Sequence, residues 1–196
     1  MVSDMTQQKK NRLSREDWIL AGFRALSRSG SSALKAEALA RELGTTKGSF
    51  YWHFKDVADF ESAMLAYWRA RANEEVIAAV ASAGKSPQEG LQELARIIAG
   101  LRNAADGGLR SESAIRQWSV TNSRVAAAQF EVDTERLNYL TAQFVRAGFS
   151  HQRAALRGKI LYAAVIGFEY LELRQLAATQ EGLTGLLDHL LSPDRA

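Results

Sequence analysis

The side chains best suited to chemistry in this chain crowd into one stretch. Lys35, Thr45, Thr46, Lys47, Tyr51, Trp52, His53 and Lys55 place ammonium groups, hydroxyls, an indole and an imidazole close together in sequence. Such groups bond phosphate oxygens and base edges of nucleic acid. Lys47 has the reach for guanine acceptors in a major groove, and Thr46 can bond either a base edge or a phosphate. Gly48 has no side chain, so it suits either a close backbone approach to DNA or tight packing between helices. Trp52 suits contact with a base methyl or sugar, or packing at a domain rim. Catalysis has no comparable cluster: His53, His151 and His189 fall in separate predicted helices or their edges, there is no Cys, and HExxH, GxSxG and a Gly-rich phosphate loop are missing. No catalytic site, metal site or cofactor is expected.

Two short helices must position these groups. Ala36, Leu39, Ala40 and Leu43 follow i, i+3, i+4, i+7, one apolar stripe that has to be buried. Gly44 follows the last apolar position, where a helix commonly closes in a left-handed conformation. Thr45 is then read as the cap of a second helix, Thr45 to Phe54, with Phe50 and Phe54 inward and Thr46, Lys47, Ser49, Tyr51, Trp52, His53 and Lys55 outward. Ile19, Gly22, Phe23 and Leu26 repeat the stripe in a preceding helix from about Arg15 to Arg28, with Ser14 and Asp17 spaced as a capping pair. The prediction is a small three-helix bundle carrying a helix-turn-helix at about 35–54.

The order Leu39-Ala40, Leu43-Gly44, Gly48-Ser49-Phe50-Tyr51 and His53-Phe54 resembles the DNA-binding domain of the tetracycline-repressor (TetR) family of bacterial transcription regulators. The resemblance covers the first 60 or so residues. It implies that Tyr51 and His53 contact phosphate. Two positions depart from the pattern: Val57 stands where the family usually has a phosphate-contacting lysine, and Lys35-Ala36 where it favours a hydroxyl residue. Lys55 and Lys35 are the nearest substitutes, the latter as a flexible point charge.

Composition agrees with this reading. Through Lys55 the chain has 10 Lys or Arg against 5 Asp or Glu, a net +5, while the remainder has 15 against 17, a net −2. The positive end is the candidate DNA-reading end, as attraction to phosphate requires. Lys9, Lys10 and Arg12 form a basic arm read either as a solvated tail or as a phosphate or minor-groove contact. The N-terminus lacks an apolar h-region, and the run Ile160 to Phe168 is far below the ~20 residues of a membrane helix, so a cytoplasmic protein without a membrane partner is expected.

The expected fold is all-α: a DNA-binding domain at 9–55 and a larger helical effector-binding and dimerisation domain at 56–196. In the latter, helices are read at about Asp56–Ser82, Pro87–Asn103, Glu112–Val120, Arg124–Ala147, Gln152–Gln175 and Glu181–Leu191, with a break at Asp106-Gly107-Gly108. The family likeness implies that the last two helices form a four-helix homodimer interface, for which Ile160, Ala163, Ala164, Gly167, Leu171, Leu183, Leu186, Leu187 and Leu190 are the candidates; completing the monomer core is the alternative. It also implies a pocket for a small-molecule effector that releases a repressor from double-stranded operator DNA. Trp68, Trp118, Phe130, Tyr139, Tyr162 and Phe168 are bulky enough to line it or to be plain core. Effector and operator identities are not written in these residues, and neither is the sign of regulation. A DNA-free helical adaptor would explain the body but leave the basic, aromatic second helix without a task.

Overall fold

The computed structural model describes residues 13–82, 86–100 and 109–192, and among them all regular structure is helical. The proposed break at Asp106–Gly108 lies outside the described residues. The helices are α1 Arg15–Ser29, α2 Ala36–Glu42, α3 Lys47–Tyr51, α4 Val57–Arg69, α5 Glu75–Ser82, α6 Pro87–Gly100, α7 Leu109–Ser119, α8 Ser123–Arg146, α9 His151–Leu173 and α10 Thr179–Leu191. Local chemistry sets most starts. Ser14 and Asp17 form the reciprocal capping box of α1, Asn122 accepts from the Arg124 and Val125 N–H groups at the head of α8, and Asp56 accepts from the Asp59 N–H at α4. A second box, Ser86 with Glu89, encloses Pro87 at the first turn of α6.

Helix α1 is the axis of the N-terminal bundle and is buried on more than its predicted stripe. Trp18, Ala21 and Ala25 are shielded along with Ile19, Gly22, Phe23 and Leu26, because α2, α4 and α7 all pack on it. Trp18, Phe50, Phe54 and Phe60 form an aromatic cluster with ring centroids 4.9 to 5.4 Å apart, mostly edge to face. Gly22 exists for this contact: a Cβ there would lie 2.5 Å from Phe60 Cζ and 2.7 Å from Met64 Sδ. The aromatic neighbour has little room to yield. Gly22→Ala is expected to lose about 1–2 kcal/mol after its helix-propensity gain, read as a fall in thermal midpoint, whereas an unchanged midpoint would show that Met64 and Phe60 repack freely.

The first core does not stop at residue 55. It runs on through Trp68 into Ile115, Trp118, Val125 and Val132 of α7 and α8, so the bundle rests on the body through shared apolar packing. Arg124 reinforces the join by donating to the Ala58 carbonyl and Ser62 hydroxyl and pairing with Glu61 at 3.0 Å. A second core joins α5, α6, α8, α9 and α10 through residues such as Leu91, Phe144, Leu161 and Leu183.

The single helix read from Asp56 to Ser82 is instead two α-helices joined by a π-helical segment at Ala70–Glu74. The wider turn shifts every later side chain around the axis and buries Asn73, an amide that regular spacing would leave unremarked.

A candidate nucleic-acid interface and a body cavity

The turn between α2 and α3 is closed by a Schellman arrangement. The Thr45 N–H donates to the Ala40 carbonyl and the Gly44 N–H to that of Arg41, with Gly44 at φ 62°. This corrects the reading of Thr45 as the cap: its N–H finishes α2, and Thr46 takes the N-cap position of α3 without a side-chain cap bond. The helix is also shorter than Thr45 to Phe54, since it ends at Tyr51 and the chain turns through Trp52, with the His53 and Phe54 N–H groups both directed to the Phe50 carbonyl. Phe50 and Phe54, fully buried, pin this short element to the bundle.

The rest of the element faces outward. Lys35, Thr46, Lys47, Gly48, Tyr51, Trp52 and Lys55 are exposed, Thr45 and His53 are half-buried, and Trp52 at 80% exposure covers no core. That rules out rim packing for Trp52 within this chain. Gly48 likewise meets no neighbouring helix, its nearest contact being Thr46 Oγ1 at 3.7 Å from an added Cβ. Lys47 is engaged: its ammonium pairs with Glu37 of α2 and lies 5.8 Å from the Tyr51 ring. The hydrogen bond to Lys47 holds the Glu37 carboxyl below its usual range, and the same bond raises Lys47. Val57 is half-buried, and the Lys55 N–H is tied to Asp59 at 3.0 Å, leaving the Lys55 ammonium on the surface.

The body holds a cavity of about 310 Å³ walled mainly by aliphatic side chains of α5, α6, α8, α9 and α10. Of the six bulky candidates, Trp68, Tyr139 and Tyr162 line it. The other three are placed elsewhere. Trp118 is packed in the first core, Phe130 points to solvent at 74% exposure, and Phe168 lies over Gly182, where an added Cβ would come within 2.2 Å of its ring.

Charged residues that periodicity passed over form one side of this cavity. Arg136 grips Glu112 with two bonds of 2.9 and 3.3 Å, and Trp68 Nε1 donates to Glu112 at 2.8 Å. Burial alone would raise the Glu112 carboxyl, but Arg136, the indole N–H and Arg116 hold it below the usual carboxylate range. Arg136, despite its own burial, is raised by the same partner. Alongside, Arg116 donates to the Tyr162 hydroxyl at 2.8 Å, and that hydroxyl donates to Asp133 at 2.6 Å. Glu169 of α9 completes the wall, only 7% exposed, and its carboxyl is pushed up to about 8 by burial and then by Glu112. The sequence signals were present: Glu112 and Arg116 are four apart, Asp133 and Arg136 three apart, and Glu169 directly follows an apolar run.

On α9 and α10 the interface candidates divide. Ile160, Ala163 and Gly167 are exposed, and with Leu156 and Tyr170 they form a continuous outward stripe; Ala164, Leu171, Leu186 and Leu190 are half-buried. Leu183 and Leu187 are corrected: both have no exposed surface because α10 packs on α6 and α9 within the chain, and they line the cavity.

Among the described residues no helix is long and apolar enough to cross a membrane, and no group of three or more His, Asp or Glu is placed to hold a metal ion. A short, surface-turned helix after a tight glycine turn, anchored by aromatics on a three-helix bundle, defines the class: an all-α helix-turn-helix DNA-binding protein. Residues 19–59 match the family described as bacterial regulatory proteins, tetR family. The head is therefore that of a TetR-family transcription regulator. Solved structures share the fold over nearly the whole chain. A TetR transcriptional regulator from Legionella pneumophila is 16% identical with a TM-score of 0.72, covering 93% of this chain and 100% of its own. A TetR-family regulator from Streptomyces coelicolor is 17% identical with a TM-score of 0.72, covering 91% and 90%. BioQ with its natural double-stranded DNA operator is 23% identical with a TM-score of 0.51, covering 91% and 98%. No curated protein matches the chain.

Proposed function

We propose that the chain is a homodimeric repressor that reads operator DNA with α3 and its flanking turns and is released when a small molecule enters the body cavity. The observation that carries this reading is the outward face of α3, where Lys47, Tyr51 and Trp52 stand exposed above a fully buried Phe50. Thr46 and Lys47 choose bases in this reading, Tyr51 and His53 hold phosphate, and Lys35 and Lys55 supply the remaining backbone contacts. The operator complex of BioQ, which shares the fold, supports the assignment. The exposed α9 stripe of Leu156, Ile160, Ala163, Gly167 and Tyr170 supports pairing of two copies, which would set two heads on half-sites about one helical turn or a multiple apart. Helix α4 supplies a route for release: it begins two residues after Lys55 and ends by Trp68 in the cavity wall. A ligand that prefers the DNA-incompetent arrangement by several kcal/mol switches the population.

Footprinting on the DNA that flanks the gene, followed by titration at several salt concentrations, tests the assignment. Lys47→Ala with Tyr51→Ala is expected to weaken operator binding on the order of 100-fold while the protein stays folded and dimeric in sedimentation. Glu37→Gln should do the opposite and tighten binding several-fold, because it removes a negative charge from the face and frees Lys47. Unchanged affinity in the double variant would reject the reading helix, and a monomer at micromolar concentration would reject the dimer.

A further inference from the structure

The charged side chains lining the cavity pair off with one exception. Arg136 is bidentate on Glu112, and Arg71 pairs with Glu75 at 3.3 Å, both within the wall. Glu169 is left over. It is 93% buried and lines the cavity, yet it joins no hydrogen bond or ion pair among the described residues. A buried polar group without a partner is rare enough to require a reason. The same lining contains Asn73, whose Nδ2 donates to Glu135 at 2.6 Å and whose Oδ1 is buried without a partner. Asn73 Oδ1 therefore lacks a donor, and Glu169 lacks a counter-charge.

From this we propose that the cavity takes a hydrophobic organic cation, an alkyl or arylalkyl ammonium, with Glu169 as its counter-ion. The proposal rests on the reading of the cavity as the effector site and names the chemistry of that effector. An anionic ligand fits poorly, since both arginines of the lining already face carboxylates and the ionised Glu112 repels it. A purely apolar ligand fills the aliphatic walls but leaves Glu169 as orphaned as before. An ammonium head supplies the N–H donors and the charge together, while its chain lies against Leu91, Leu161, Val165 and Leu183.

The charges that face Glu169 set the proton balance. Glu112 from α7 and Glu172 from α9 disfavour its ionisation, whereas Arg116 from α7 and Arg136 from α8 favour it, and burial outweighs them all. At neutral pH the empty cavity therefore presents a carboxylic acid. Entry of the ammonium, which keeps its own proton, ionises Glu169 and sends the carboxyl proton to solvent. Affinity for the cation accordingly rises with pH from 6 toward 8.

Three probes of one chain length separate the alternatives: n-octylamine, n-octanoate and octan-1-ol, titrated into the full-length protein by calorimetry in two buffers of different ionisation enthalpy. The amine is expected to bind about tenfold or more tighter than the other two, with release of nearly one proton at pH 7. Glu169→Gln should remove that preference and the proton release while leaving octan-1-ol binding unchanged, which also shows that the variant cavity is intact. Octanoate or octan-1-ol binding as tightly as the amine, or an amine affinity untouched in Glu169→Gln, overturns the counter-ion assignment but leaves the cavity as a ligand site. Amine binding that fails to release operator DNA sustains the assignment and rejects the effector reading. Failure of all three probes to bind overturns both.

Discussion

Glu112→Ala is expected to lower the stability of the body by about 3–5 kcal/mol, because it removes one partner of a buried ion pair and strands the other. The Arg136 guanidinium would lose both of its bonds to Glu112 while its 3.4 Å contact with the Tyr162 hydroxyl stays, and Trp68 Nε1 would lose its acceptor. For a protein of this size such a loss moves the thermal midpoint by roughly 6–20 °C. Position in the fold makes the effect informative: Trp68 closes α4, Glu112 lies on α7 and Arg136 on α8, so one carboxylate ties the helix leading from the head to two helices of the body. The control is Glu112→Leu combined with Arg136→Met, which replaces both charges by apolar groups of similar reach. Much of the lost stability should return, since an apolar pair carries no desolvation penalty. Thermal unfolding followed by near-ultraviolet circular dichroism reads both variants. If Glu112→Ala costs less than about 1 kcal/mol, the pair is solvated in solution and the wall is not a closed structural unit. Acid sharpens the same point. Because the Glu112 carboxyl is held below its usual value, its contribution is present above the unfolded value and is lost as pH falls through the depressed one.

The head was legible because its information is periodic. Phe50 and Phe54, or Leu39 and Leu43, sit one turn apart, and a period survives without knowledge of what lies opposite. The cap offset from Thr45 to Thr46 was not legible, since both residues can cap and the choice was made by the 6→1 bond that closes α2. In the body, aromatic content reported size but not direction. Phe130 and Tyr139 are nine residues apart on α8, two and a half turns, so a straight helix cannot aim both into one cavity. One points to solvent and the other lines the wall. Leu183 and Leu187 show the converse: an apolar stripe on a terminal helix reads equally as a partner face or as core, and the packing of α10 on α6 consumed it within the chain. The π segment escaped detection because widening a turn changes hydrogen-bond partners without changing residue types. The charged residues Glu112, Arg136 and Glu169, which the sequence reading did not single out, mark the cavity more sharply than the aromatics, for a buried charge has to be placed opposite something.

Glu169→Gln should stabilise the protein at alkaline pH and leave it unchanged in acid. The folded carboxyl sits at about 8 against an ordinary value of 4.5, so between those limits the folded state holds a proton that the unfolded chain releases. Stability referred to Glu169 is thus fully present below 4.5 and is lost as pH rises through 8, with a slope of about 1.4 kcal/mol per pH unit for one proton. Above the upper limit the accumulated cost approaches about 5 kcal/mol, an upper bound because water can enter the cavity. Glutamine has the shape of the protonated acid and no charge to bury, so it keeps the low-pH contacts and removes the slope. The difference between variant and parent, taken by denaturant titration at pH 4.5, 7 and 9, isolates this group from Glu112, whose opposite dependence is common to both proteins. A flat difference across that range would show that Glu169 is ionised and solvated in the folded state. A rising difference would show that the chain retains, in the wall of an apolar cavity, a carboxyl that destabilises the empty protein. Residues of that kind are expected where an absent partner supplies the compensation, and an ammonium seated against Glu169 would return the loss as binding energy.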